Sequence, residues 1–164
     1  MAKHNFFEGI WKFTLRDKDG NIKWEHTQRN DLADEGENLM LDSFFLGQNS
    51  PTAFYLRMCN DTLTPTSTLS SVTTEPTTSG YSATLIERST TGWPTLEYTG
   101  GDWRVESKLV TFTAALGDIG PVSLAFLATS SDSSGKLICY VSFPVARTIM
   151  SGDSMDVQIG IRLQ

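Results

Sequence analysis

Phe6-Phe7-Glu8-Gly9-Ile10-Trp11-Lys12-Phe13-Thr14-Leu15-Arg16-Asp17-Lys18-Asp19-Gly20-Asn21-Ile22-Lys23-Trp24-Glu25-His26-Thr27-Gln28 is the stretch that decides the fold. Apolar residues crowd Phe7 to Leu15. After the turn Asp17 to Asn21, Ile22, Trp24 and His26 alternate with Lys23, Glu25 and Thr27. A period of two beside a Gly-bearing turn is a β-hairpin, with one face buried and the other wet. Asp17-x-Asp19-Gly20-Asn21 also invites a calcium reading. It supplies only two ligands before the glycine, however, and Asp and Asn serve a tight turn equally well.

Beyond the hairpin, residues 31–46 predict the one helix. Asn30 or Asp31 stands ready as N-cap. Asp34, Glu35 and Glu37 suit the positive end of the helix dipole. Leu32, Leu39, Met40, Leu41, Phe44 and Phe45 offer apolar anchors, and Gly47 ends the run. Gly36 weakens the middle by up to about 1 kcal/mol relative to Ala, which a close neighbouring backbone would explain. The pattern from there is strands: Ala53–Cys59, Tyr81–Arg88, a long alternating Trp103–Ala114, Val122–Ala128, Leu137–Phe143 and Met155–Leu163. Gly100-Gly101 and Gly117 to Pro121 read as turns. Without β-α-β alternation a parallel sheet is not expected. The reading is therefore a mostly β chain: residues 1–164 as a single antiparallel β-sandwich domain, jelly-roll-like, with one short α-helix near residues 31–46.

Composition narrows the classes. At 164 residues the length is that of one core. A net charge of −6 argues against a nucleic-acid partner. The sequence has no uncharged apolar run long enough to span a membrane. The segment Met1 to Asn5 leads into an apolar run broken by Glu8, without the h-region and cleavage site of a secretory signal, so synthesis in a cytosol is expected. Cys59 and Cys139 read as buried thiols on strands, with a disulfide between them left open.

Chemistry is sparse. The two histidines, His4 near the terminus and His26 in the hairpin, make no pair with a nucleophile, and His26 reads as a rim residue. Metal ligation lacks the residues, phosphate-loop spacings are absent, and no two carboxylates announce a glycosidase. The expectation is no enzyme, no cofactor and no metal. Two features invite binding instead. Residues 60–80 form a Thr/Ser/Pro-rich connection longer than most loops. Pro65, Glu75, Pro76 and Tyr81 frame it as a partner-binding arm whose prolines lower the ordering cost. Trp93, Tyr98 and Trp103 lie around Gly100-Gly101, where aromatics close a core, anchor an interface or stack on sugar rings.

The order of features resembles a family of tailed-bacteriophage virion structural proteins, of the capsid decoration (cement) or fibre-like kind. The pieces are the opening hairpin, then Asn30-Asp31-Leu32, Gly36 and Leu39-Met40-Leu41, then Phe54-Tyr55-Leu56-Arg57-Met58. Thr62-Leu63-Thr64-Pro65-Thr66 and Glu75 to Ser82 follow, and then Val110-Thr111-Phe112-Thr113, Gly120 to Ala128, Ser134 to Leu137 and Gly152-Asp153. The resemblance implies a non-enzymatic virion component, made in the bacterial cytoplasm. Its partner would be the major capsid protein or another virion protein, with no nucleic acid and no membrane, and it would be a homo-oligomer. Capsid decoration is the leading expectation. A tail or fibre protein, or a carbohydrate-binding module for a host-surface glycan, is the alternative.

Overall fold

The computed structural model describes residues 7–163, so His4 and Phe6 lie outside the described residues. In chain order the elements are β1 (Phe7–Arg16), β2 (Ile22–Arg29), β3 (Asp31–Leu32), α1 (Asp34–Leu41), β4 (Ala53–Cys59), β5 (Thr84–Glu87), β6 (Thr95–Thr99), β7 (Asp102–Glu106), β8 (Val110–Thr113), β9 (Ile119–Ala128), β10 (Leu137–Ile149) and β11 (Ser154–Leu163). Two antiparallel sheets result. The first runs β2-β1-β11-β7-β6, with β8 also pairing β11, and the second runs β3-β10-β9-β4-β5. First and last strands pair without interruption from Phe7↔Leu163 to Arg16↔Ser154.

The hairpin forms as its alternation predicts. Asp17 Oδ1 accepts the Asp19 and Asn21 backbone N–H groups, both at 2.9 Å, and Gly20 takes φ +87°. The carboxylate is thus occupied by its own turn. Trp11, Phe13 and Leu15 of β1 and Val157 and Ile159 of β11 point inward. They meet Leu56 and Met58 of β4, Ala125 and Leu127 of β9, and Val141 and Phe143 of β10. His26, half-buried, stacks on Trp24 at 5.4 Å and bonds the Gln28 side chain.

β9 is buried on both faces. Leu124, Phe126 and Ala128 point away from the main core into a second cluster with Cys59, Leu63, Leu69, Leu137 and Tyr140. That is why this strand reads as a continuous apolar run rather than an alternation. Cys59 and Cys139 are free thiols serving different clusters, and burial pushes both up to about 12.

Three local expectations need correcting. The helix starts at Asp34, because Asp31-Leu32 is drawn into β3 against Tyr140 and Cys139. Its N-cap is therefore Ala33, without a side-chain cap, and Asn30 gives its backbone N–H to Gly9 O instead. The strand expected over Trp103–Ala114 is two strands. Between them the buried Ser107 gives its backbone N–H to Ile159 O at 2.8 Å and accepts the Ile159 N–H on its own hydroxyl at 3.0 Å. A side chain thereby replaces one rung of the ladder, and Leu109 is left exposed. β6 was not foreseen. It forms because Gly100 and Gly101 both take positive φ and fold Thr95–Thr99 back onto β7.

Candidate interaction surfaces

The 60–80 connection lies across the outer face of the second sheet as a strap. Leu63 and Leu69 are its buried anchors, seated in the cluster around Phe126 and Tyr140. Asp61 closes the base: its carboxylate accepts the backbone N–H groups of Thr73 (2.9 Å) and Thr74 (3.0 Å) and the Thr73 hydroxyl. Glu35 of α1 fastens the middle. It accepts the backbone N–H groups of Leu69 (3.0 Å) and Leu137 (2.8 Å) and pairs with Lys136. Glu75 fastens the far end. It holds Arg57, whose Nε donates at 2.9 Å and whose second nitrogen makes a further short contact. Arg57 also donates to the carbonyls of Ser130 (3.2 Å) and Asp132 (2.8 Å) and lies over the Phe126 ring. Tyr81 donates to Glu75 Oε1 at 2.7 Å and accepts the Met58 backbone N–H at 2.8 Å.

Of the four residues expected to frame a partner-binding arm, Glu75 and Tyr81 are thus occupied inside the chain. Pro76 is half-buried. Pro65 is exposed, and its carbonyl accepts the Asp34 N–H at 2.8 Å. The segment covers apolar surface on its own sheet, a role its hydroxyl-rich composition does not advertise. Replacing Tyr81 with Phe removes one hydroxyl from this network. The expected loss is about 1–2 kcal/mol, read from the midpoint of a urea titration.

Two carboxylates that fasten the strap, Glu35 and Asp61, make stability depend on acid. Burial pushes Glu35 up, but the amides of Leu137 and Leu69 outweigh it and hold the group below its ordinary value. Burial also raises Asp61, and its bonds to Thr74 and Thr73 bring it down. Depressed carboxylates contribute fully above the ordinary carboxylate range and lose that contribution as pH falls through and below it. The protection factors of the Leu69, Thr73 and Thr74 amides, corrected for the slower intrinsic exchange in acid, should therefore fall on acidification before those of the main core.

The β6–β7 hairpin extends the first sheet past its partner. Leu96 faces Val105 and Tyr98 faces Trp103 across the pair, while Val105 faces Ile161 of β11. These side chains share the core-facing side of the sheet, yet Leu96, Tyr98 and Trp103 are 70%, 64% and 57% exposed. Tyr98 and Trp103 meet edge to face at 5.8 Å. Neither lines the shallow cleft beside them, which lies on the opposite face of β7 and is bordered by Arg104 and Glu106. Trp93 is separate from this pair: it is half-buried, with its ring edge-on to Phe54 at 5.8 Å.

A third surface escaped the sequence reading. Leu41, Phe44 and Phe45 were expected to anchor the helix to the core. They are instead 60%, 81% and 73% exposed, and Leu46 is 66% exposed. The buried stripe of the helix runs through Gly36 and Leu39, with Met40 and Ser43 half-buried, at the spacing of one helical face. Leu41 and the two phenylalanines lie outside that stripe. After Leu41 the backbone widens into a π turn over Asp42–Leu46 and stops at Gly47 in the left-handed region, φ +65°. The signal was present in the sequence: with Gly36 facing a neighbour, the inward positions are 36, 39, 40 and 43, and the phenylalanines are not among them.

No helix among the described residues is long and apolar enough to cross a membrane. A family model described as "Podophage GP4 fiber I protein gp80" matches residues 31–162 of the 164. No curated protein matches the chain. The matched stretch begins at β3, so β1 and β2 precede it, although β1 is zipped to β11 along its whole length.

Proposed function

The chain belongs to the Podophage GP4 fiber I protein gp80 family and so is a phage virion structural protein of the fibre kind, and from this premise we propose that it is a non-enzymatic part of a fibre, held in the particle by protein–protein contacts. The family match over residues 31–162 carries the reading. The geometry agrees with it. A sandwich whose β1 and β11 are zipped together inside the first sheet, with a strapped second face, suits a part that must endure outside a cell without cofactors. The exposed apolar groups at the end of α1 and on the β6–β7 hairpin are what contacts between subunits would use. Pro65, exposed on the strap, is available to the same contacts, whereas Glu75, Pro76 and Tyr81 would act by shaping the strap. Antibody labelling of intact particles tests this. Label on appendages is the expected result, and an even coat over the capsid facets would favour a cement role instead.

The exposure of Tyr98 and Trp103 on one face of a hairpin favours a second reading, a stacking surface for a host-surface glycan. Trp93, half-buried on Phe54 and separate from the pair, would add little to that surface. A glycan array probed with the wild-type chain and with Trp103→Ala decides it. Signal that disappears in the variant supports stacking, and no signal from either protein removes this reading.

A further inference from the structure

We propose that Leu41, Phe44, Phe45 and Leu46 form a knob that docks into an apolar pocket bordered by Lys and Arg on a different virion protein. This rests on the fibre reading above. Four large apolar side chains within six residues, each at least 60% exposed, leave on the order of 600 Å² of apolar surface uncovered. That is the upper end of what a monomer shows and a large share of the roughly 800 Å² that one partner contributes to a stable interface. The knob is also preformed. Phe44 and Phe45 pack edge to face at 5.0 Å, and the turn beneath them is closed by Asn49 donating to Asp42 at 2.5 Å. Rings held in place before contact lose little freedom on docking.

Charge selects the occupant. Asp34 and Glu37 are exposed and stand three and four residues apart in series with Leu41, so one stripe of the helix runs from two carboxylates to the knob. No basic residue lies in the last turn of α1. A second copy of the chain would meet this acidic stripe with few cations to spare. Among the described residues eight Lys and Arg side chains are already paired with carboxylates of the same chain, and the net charge of the whole sequence is −6. An anionic lipid surface would be repelled by the same stripe. A basic-rimmed apolar pocket matches both halves of it.

The test compares particles assembled with the wild-type chain, with Phe44→Ser/Phe45→Ser and with Asp34→Lys/Glu37→Lys. A fourth sample carries a benzophenone photo-crosslinker in place of Phe45. Phe44 and Phe45 are exposed, so the serine variant should keep the wild-type thermal midpoint, whereas reversing two carboxylates in the first turn of α1 should lower it slightly while the chain stays folded. Copies per particle, counted by mass spectrometry, should fall about tenfold or more for the double serine variant. The charge-reversal variant should fall about threefold or more, with the deficit widening at low salt. The crosslink should land on a different virion protein, beside Lys or Arg. Unchanged copy numbers overturn the proposal, as does a crosslink to another copy of this chain or to lipid. Wild-type chain absent from particles would overturn the fibre reading itself, and the docking with it.

Discussion

Glu75→Ala should lower the unfolding free energy by about 3–5 kcal/mol, the largest single loss expected outside the main core. Arg57 sits on β4 facing away from that core, with its side chain 6% exposed, and Glu75 is 19% exposed. Burial acts to pull the Arg57 proton off, but the hydrogen bonds and charge of Glu75 outweigh it and leave the guanidinium held more firmly than in water. Removing the carboxylate leaves a cation under the strap with the carbonyls of Ser130 and Asp132, the Phe126 ring and the more weakly acting Asp132 carboxylate as company. Dipoles offset part of the desolvation of a full charge and not all of it. Tyr81 loses an acceptor in the same step. The strap should then lift locally, exposing Leu63 and Leu69 to thermolysin while the sandwich stays folded. Urea titration with an unchanged slope measures the loss, and the cleavage pattern locates it. The double variant Arg57→Met/Glu75→Leu should recover much of it, because two apolar groups replace a pair rather than orphan a charge. A loss below about 1 kcal/mol for Glu75→Ala would mean that the pair behaves like a surface ion pair and that the strap is held by its leucines alone.

What the sequence made legible follows from where one physical signal acts alone. The β1–β2 hairpin is wet on one face and dry on the other, so alternation and turn chemistry locate it closely. β4 lies at Ala53–Cys59, as its apolar run suggests. Trouble begins where two signals overlap. Val105 and Leu109 share a parity that Phe112 breaks, and that switch marks the interruption at Ser107, yet a long alternating strand is the simpler pattern. The 60–80 segment is rich in hydroxyls, so its two leucines look incidental. Burial of β9 on both faces requires a cover, and the segment supplies it. The helix misled for the opposite reason: its apolar residues exceed what one face can bury, and abundance hides which of them point outward. The exposed knob and hairpin are the places where sequence and local packing disagree, and a chain that works by contact with other proteins has reason to keep such disagreements.

Gly36→Ala carries the second large effect, and magnitudes decide its sign. In a free helix the change would add about 1 kcal/mol of stability, because glycine is the poorer helix former. Here a Cβ at Gly36 would lie 2.2 Å from the carbonyl oxygen of Ile138 and 2.8 Å from its Cα. Those atoms belong to the backbone of β10, which is hydrogen-bonded to β9 along one edge and to β3 along the other. The strand therefore cannot yield, and the helix must. Moving it strains the Ala33 N–H bond to the same Ile138 oxygen, lifts Leu39 from the core and pulls Glu35 from Leu69 and Leu137. Overpacking costs about 1–3 kcal/mol, and each strained bond adds about 1 more. The net expectation is a loss of about 2–4 kcal/mol despite the better propensity. Asn38→Ala, on an exposed position of the same helix, should change stability by no more than about 0.5 kcal/mol. Urea midpoints of the two variants separate the causes. If Gly36→Ala instead gains the increment of a free helix, α1 is not seated on β10. The strap would then lose the anchor that Glu35 gives it, and residues 41–46 would lose their fixed position on the sandwich.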